Sequence, residues 1–383
     1  MSVPYHIPLN RPFLTGRETE YIREAVQSGK IAGDGVFTAR CHQWMRAQLG
    51  IAHPLLTTSC TDALELAALL LEIKPGDEVI VPSYTFVSTA NAFVLRGAIP
   101  VFADSSATHP NMDAAQLERL ITPRTRAIVP VHYAGMSCEM DTILQLAALH
   151  HLHVVEDAAQ AIGARYKGSR YLGTMGALGT FSFHETKNVI AGEGGMLAVN
   201  DAALVSRAEI IREKGTNRSA FFRGETALYE WISPGSSFLP SDIIAAFLFA
   251  QLEQFEFIQT TRLARWKRWQ SLLAPLAAKG MFELPQQPAW AETNGNIFYL
   301  CCHNQPERDA LIAYLRSKGI YAAFHYLCLH KSPYFTAHYT GTPLPHAERF
   351  EQTLVRLPMY HELSDVEQDY TAQCIHDFYR THA

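Results

Sequence analysis

Apolar and polar positions alternate in blocks along the first half of the chain. From about residue 55 to 200, short β-rich apolar runs are separated by stretches with helical spacing. The runs are Val79–Val81, Pro100–Phe102, Ala127–Val131, His153–Val155, Thr180–Phe183 and Met196–Val199. Helical spacing covers Asp62–Leu71, Ser88–Leu95, Asp113–Leu120 and Asp141–His150. This alternation predicts an α/β fold: a mostly parallel central sheet flanked by helices on both faces. Such a sheet offers its ligand site at the carboxyl ends of its strands.

The pattern then changes. A long helical region runs from Ser241 to about Leu272, and a Pro-rich break follows at Pro285–Pro288. Beyond it the spacing predicts a strand at Phe298–Leu300, a helix at Glu307–Lys318, a strand at Tyr321–His325 and a last helix after Ser364. This is a smaller α+β unit. The expected division is a large domain over 1–255 and a small C-terminal domain over 256–383. A length of 383 residues suits two domains better than one small core.

Composition narrows the class. Hydrophobic residues make up 48% and charged residues 18%, as in a globular protein with a large core. The net charge is −5 and no long basic run occurs, which argues against nucleic acid or an anionic membrane as main partner. The start, Met1–Pro8, lacks the basic and apolar regions of a signal peptide. No apolar run reaches the about 18 residues of a membrane span; Ile243–Ala250 is too short and reads as a buried helix. Seven scattered cysteines without a C-x-x-C pair predict neither a disulfide framework nor a metal site. The expectation is a soluble cytoplasmic protein.

Candidate chemistry gathers after the strands. Asp157 and Gln160 close the run Val154-Val155-Glu156-Asp157-Ala158-Ala159-Gln160. Lys187 follows Thr180-Phe181-Ser182-Phe183-His184-Glu185-Thr186, and a glycine-rich turn, Gly192-Glu193-Gly194-Gly195, comes next. Tyr84, Phe86, His132 and His184 also fall just after strands. Pyridoxal phosphate (PLP) needs a lysine for its Schiff base, an acid for its ring nitrogen and hydroxyls for its phosphate. Thr57-Thr58-Ser59-Cys60-Thr61-Asp62 precedes a strong helix, so free amides and hydroxyls there make an anion cradle. Plainer readings exist for each residue. Asp157 caps helices well, Gln160 suits a surface, Phe86 suits a core, and a lone lysine is usually a solvated charge. An apolar strand, a serine five residues earlier and a glycine turn do not surround an ordinary surface lysine. Arg212, Lys214, Arg218 and Arg223 crowd one segment that suits a diphosphate, or simply a solvated helix end. Neither a P-loop nor a dinucleotide glycine fingerprint is present.

These residues lie within a longer series of motifs. It opens with Ile7-Pro8-Leu9-Asn10-Arg11-Pro12 and Ser28-Gly29-Lys30-Ile31-Ala32-Gly33-Asp34-Gly35. It continues through Val131-His132-Tyr133-Ala134-Gly135 and the two site motifs to Phe324-His325-Tyr326 and Leu357-Pro358-Met359-Tyr360. In this order, and over nearly the whole chain, they resemble the DegT/DnrJ/EryC1/StrS sugar aminotransferases. The resemblance implies a fold-type I PLP-dependent aminotransferase acting on a nucleotide-linked keto-sugar, a homodimer with active sites at its interface. It implies that Lys187 carries the cofactor, Asp157 meets its ring nitrogen, Gln160 approaches its 3-oxygen and Phe86 stacks on its ring. Cys60, Thr61 and Ser182 would hold its phosphate. Tyr84, His184, Glu193, Arg212, Lys214, Arg218, Arg223 and His325 are the candidate substrate contacts.

The chain departs from the family pattern in places. Many members carry Gly-x-Asn-x-Arg, whose asparagine reaches the partner's phosphate; here the run is Gly235-Ser236-Ser237-Phe238-Leu239. Ser237 is the candidate replacement. Cys328 and His361 stand where proline is usual. The segments Pro82–Ala98 and Arg212–Ser219 are similar to the subgroup making dTDP-4-amino-4,6-dideoxygalactose, for enterobacterial common antigen and lipopolysaccharide synthesis. That implies amino transfer from L-glutamate to C4 of dTDP-4-keto-6-deoxy-D-glucose. The 4-amino-4,6-dideoxyglucose epimer, or another nucleotide keto-sugar, is the alternative within the family. A non-catalytic PLP-binding regulator is the alternative outside it, and the intact Lys, Asp and Gln set weighs against it. In similar sugar 3-dehydratases the lysine position resembles histidine, so Lys187 argues against that activity.

Overall fold

The computed structural model describes residues 6–382 except 337, 338 and 340. Most of the N-terminal stretch searched for a leader therefore lies outside the described residues. Two helices, α1 (Glu18–Gln27) and α2 (Val36–Leu49), precede the sheet. Asp242 tethers the start of α2: its carboxylate accepts the amides of Phe37 and Thr38 at 3.1 and 2.8 Å. Then follow β1 (His53–Thr57), α3 (Cys60–Leu70), β2 (Glu78–Pro82), α4 (Ser88–Val94), β3 (Ile99–Ala103), β4 (Thr125–Ile128), α5 (Met140–Leu149) and β5 (His153–Asp157). A ribbon of β6 (Arg165–Tyr166) and β7 (Arg170–Tyr171) leads to β8 (Leu178–Ser182) and β9 (Gly195–Val199).

Seven strands form one sheet in the order β1-β9-β8-β5-β4-β2-β3. The pairs from β3 to β8 are parallel, and β9 runs antiparallel to both its neighbours. The expected mostly parallel sheet is present. Two cores cover its faces. One joins Tyr21, Phe37 and Met45 to Ile143, Ala245 and Leu248. The other joins Leu64, Ala67 and Phe93 to Val79, Val155 and Leu197. The β-branched and aromatic residues read as strands lie between these layers, buried on both sides.

After β9 come α6 (Val205–Arg212), α7 (Arg218–Phe222), α8 (Asp242–Glu253) and α9 (Phe255–Ala277). The chain ends with β10 (Ala291–Glu292), β11 (Phe298–Cys301), α10 (Gln305–Ser317), α11 (Pro345–Thr353), β12 (Leu354–Leu357) and α12 (Asp365–His382). A third core gathers Trp266, Trp269, Phe298, Leu311, Val355, Ile375 and Phe378. No helix among the described residues is long and apolar enough to cross a membrane.

Three sequence expectations change. Asp113–Leu120 is not one helix but two 3-10 turns, Ala114–Gln116 and Glu118–Leu120. Pro123 lies just beyond and disfavours helical geometry at the residue before it, so the segment has no room to propagate. The region from Ser241 divides at Gln254, whose φ of −103° and ψ of 15° break the helix. Tyr321–His325 is not a strand. Tyr321 donates to Ile7 and Ala323 pairs with Arg356, so no single partner runs along the segment.

Candidate active site

One cavity of about 690 Å³ opens at the carboxyl ends of β5 and β8. Cys60, Thr61, Phe86, Asp157, Gln160, Ser182, His184, Lys187, Glu193 and His325 all line it. Residues up to 265 positions apart in sequence are thus brought to one place.

The floor is the N-terminus of α3. Ser59 is extended, and its hydroxyl accepts the Asp62 amide at 3.0 Å. The amides of Cys60 and Thr61 have no acceptor within the helix, as in any first turn. Gly195 makes this approach possible, because a Cβ there would stand 2.2 Å from the Ser59 carbonyl carbon and 2.4 Å from the Cys60 nitrogen. Burial, then the Asp157 charge, pushes the Cys60 thiol up and keeps it neutral. The Ser182 hydroxyl accepts the His184 amide at 3.3 Å and retains its own proton to donate.

Asp157 ends β5 and is buried. Its Oδ2 accepts the Thr89 hydroxyl at 2.7 Å, and its Oδ1 accepts the Ala159 amide at 3.1 Å. Gln160 accepts the Ala134 amide at 2.6 Å and donates to the Tyr326 hydroxyl at 3.2 Å. Lys187 stands in a turn after β8 that the Gly192 and Gly194 carbonyls close. Gly192 has φ of 76°, which a side chain would strain. Next to the lysine, the buried Asn188 amide donates to Gln259 and to the Asn294 carbonyl, at 2.8 and 2.9 Å. The Lys187 amide donates to the His184 carbonyl at 2.9 Å, whereas its side-chain amine makes no hydrogen bond or ion pair with a described residue. Burial lowers its pKa below 10.5, and the attractions of Cys60 and Asp157 oppose the shift. A destabilised ammonium yields a free amine more easily.

Phe86 is 55% exposed, with its ring 6.2 Å from that of Tyr326. A large exposed ring beside a cavity suits stacking on a flat ligand. His184 and Glu193 meet at 3.6 Å. His325 donates to or accepts from Tyr133 at 3.0 Å. Burial, then the charges of Arg356 and Lys187, holds His325 far below the usual histidine range, so it is neutral.

Other candidates lie elsewhere in this chain. Tyr84 is buried among Tyr133, Tyr326 and Phe350. The chain leaves strand geometry after Pro82, so alternation no longer places Tyr84 beside Phe86. Arg212 is buried; its fork grips Asp34 at 3.1 Å and its Nε donates to Leu56. Arg218 and Lys214 pair with Glu213, and Arg223 pairs with Glu209 and Glu225. Arg212, Arg218 and Arg223 line a second cavity with Lys30 and His42. Ser237 bridges Glu213, outside the Lys187 cavity of its own chain. Charge crowding was visible in the sequence; the acids that neutralise it come from other segments. Thr85, Thr89, Asn188 and Tyr326 were not singled out. No local pattern pointed to Thr89, whose partner Asp157 lies 68 residues away.

The sequence model of the DegT/DnrJ/EryC1/StrS aminotransferase family matches residues 12–376. The chain belongs to this family. Its fold is that of the fold-type I PLP aminotransferases, and it is a PLP-dependent sugar aminotransferase, a transferase of nitrogenous groups. TlmJ, an aminotransferase from Streptoalloteichus hindustanus, is similar with a TM-score of 0.90 and 27% identity, over 99% of this chain and 100% of that one. Spr1654 from Streptococcus pneumoniae, solved in its PLP form, gives 0.90 and 26% over 99% and 100%. DesV from S. venezuelae gives 0.87 and 29% over 98% of each chain. The residues of this family member fit the cofactor. A free amine, a fixed carboxylate, an exposed aromatic face and a cradle of unpaired amides share one cavity. Bound there, PLP supplies the electron sink for carbanion chemistry at an amine-bearing carbon.

Proposed function

We propose that the enzyme transfers the amino group of L-glutamate to C4 of dTDP-4-keto-6-deoxy-D-glucose. The products are dTDP-4-amino-4,6-dideoxy-D-galactose and 2-oxoglutarate. One observation carries the catalytic part: the unpartnered amine of Lys187 shares a cavity with the hydrogen-bonded carboxylate of Asp157. Lys187 binds the cofactor and, once released by the donor, moves the donor's Cα proton as general base and acid. Asp157 holds the proton on the ring nitrogen. Gln160 faces the 3-oxygen and Phe86 stacks on the ring. Thr61, Ser182 and the amides of Cys60 and Thr61 hold the phosphate. His184, Glu193 and His325 face substrate.

The choice of sugar rests on the likeness of Pro82–Ala98 and Arg212–Ser219 to the 4-amino-galactose subgroup. We propose a homodimer as well. Trp231 is 79% exposed and Phe222 74%, and both lie in the segment that carries Ser237. Large apolar side chains this exposed mark a surface that another molecule covers. A second copy there carries Ser237 to its partner's phosphate and the second basic cavity towards the nucleotide. The division near residue 255 is supported by a core drawn mostly from C-terminal residues and by the break at Gln254. A cytoplasmic location suits a nucleotide-sugar substrate.

The test is an absorbance spectrum of the PLP-loaded protein. Glutamate is expected to bleach the visible cofactor band, and the keto-sugar to restore it. Bleaching without restoration by this sugar rejects the substrate and keeps the donor. Failure of glutamate to bleach rejects the donor. Proton couplings at C4 of the product separate the galactose from the glucose configuration.

A further inference from the structure

Tyr133 is buried and does not itself line the Lys187 cavity. It opens a short turn, Tyr133–Gly135, beyond the carboxyl end of β4. Its amide donates to the Asn111 side chain at 3.0 Å, and the next amide, of Ala134, donates to Gln160 at 2.6 Å. The backbone that carries the ring is thus held on both sides. The ring reaches the C-terminal part of the chain: Tyr133 Oη and His325 Nδ1 are 3.0 Å apart, across 192 positions of sequence. His325 does line the cavity. Its Nε2 makes no hydrogen bond with a described residue.

Counting protons gives this contact its direction. A neutral imidazole carries one proton, and the bond made by one nitrogen decides the state of the other. Burial, then the charges of Arg356 and Lys187, keeps His325 neutral. Burial also holds the Tyr133 and Tyr84 phenols above the usual tyrosine range, so both keep their protons. Tyr84 is the other phenol beside Tyr133, ring to ring at 5.6 Å, and its hydroxyl completes no hydrogen bond. Suppose Nδ1 carried the imidazole proton. The Tyr133 proton would then have to turn to Tyr84, and the Tyr84 proton would be buried with nothing to accept it. The opposite order strands no donor of Tyr133: its O–H donates to Nδ1. An unpaired buried donor is costly, so the second order wins. The imidazole proton then sits on Nε2, the nitrogen left for the cavity.

We propose that Tyr133 is a positioning residue: it fixes the ring of His325 so that Nε2–H stands as a donor in the cavity, aimed at a neutral oxygen of the acceptor sugar. The choice of ligand rests on the keto-sugar reading above. While the phenol occupies Nδ1, His325 has no free lone pair and cannot take up a proton, which leaves Lys187 as the base. A carboxylate or phosphate is held by charge, and charge tolerates misalignment. A neutral hydroxyl or carbonyl oxygen is held only by a well-aimed donor. A donor whose direction is set by a second side chain therefore fits the neutral oxygen. It also discriminates, since a ligand lacking that oxygen leaves the N–H unpaired.

The experiment reads the tautomer directly and then the two half-reactions. PLP-loaded wild type and Tyr133→Phe, labelled with nitrogen-15 histidine, are compared by NMR, and His325→Gln identifies the His325 signals. Wild type is expected to show one form, protonated at Nε2, and Tyr133→Phe an exchanging mixture. In stopped flow, Tyr133→Phe should need about threefold to tenfold more keto-sugar to restore the cofactor band, the loss of one aligned hydrogen bond. The glutamate dependence of bleaching should stay within about twofold. Glutamine places an amide near Nε2 and asparagine near Nδ1, so His325→Gln should keep more sugar binding than His325→Asn. Wild-type His325 protonated at Nδ1 overturns the proposal. So does a folded Tyr133→Phe with wild-type sugar dependence, or one that weakens glutamate and sugar alike. If Tyr133→Phe does not fold, His325→Asn equal to His325→Gln with the sugar overturns it. Wild type that glutamate bleaches and this sugar does not restore overturns the keto-sugar reading, and the assigned oxygen falls with it. Wild type that the sugar restores, with Tyr133→Phe restored alike, overturns the inference alone.

Discussion

Lys187 and Asp157 are ordinary residues made unusual by what surrounds them. Lys187→Ala is expected to abolish turnover; a variant with a near-normal rate in a coupled 2-oxoglutarate assay would sink the assignment. Thr89 shows how the setting is built. It has one hydroxyl proton and gives it to Asp157 at 2.7 Å, so in the 3.0 Å contact with Thr85 the donor is Thr85. Two threonines thus point one carboxylate. Thr89→Val should raise the PLP dissociation constant about tenfold, and Thr89→Ser should restore it. PLP titration by fluorescence checks both, and equal values for valine and serine would dismiss the relay. Asp157 was legible because it ends an apolar run. Thr89 was not, because its partner lies 68 residues away. Arg212 misled for the same reason: a cluster of basic residues reveals charge, while its counter-ion Asp34 belongs to another segment.

At the scale of elements, the cradle depends on β9 meeting the start of α3. Gly195→Ala places a methyl against the backbone of Ser59 and Cys60. The expected cost is about 1–3 kcal/mol of stability, from forced overpacking, together with weaker PLP binding. Urea unfolding and PLP titration would measure the pair of effects; an alanine variant unchanged in both would show that the loop gives way freely. Ser59→Ala should cost about 1 kcal/mol through the lost helix cap. The central strands were legible because both faces are buried and each run is continuously apolar. The strand expected at Tyr321–His325 failed because two unrelated neighbours share that segment. β1 and β12 were missed: each is short, and each pairs with a strand far away in sequence.

For the whole molecule, the exposed apolar group around Trp231 calls for a partner. Light scattering is expected to give twice the 42.8 kDa chain mass. Trp231→Asp should shift that mass towards one chain and lower activity together, through loss of the neighbouring copy's Ser237. A monomeric wild type with full activity would remove the interface from the site. The sequence by itself determined that the sheet is mostly parallel and which runs form most of its strands, and it marked Lys187 and Asp157 as the candidate lysine and acid. These are local facts, written in apolar runs and in the residues that end them. Only the tertiary structure decided which of the crowded basic residues are already neutralised, as Arg212 is by Asp34 and Arg223 by Glu209 and Glu225. Pairing depends on distances in space between segments remote along the chain, and no local pattern encodes it.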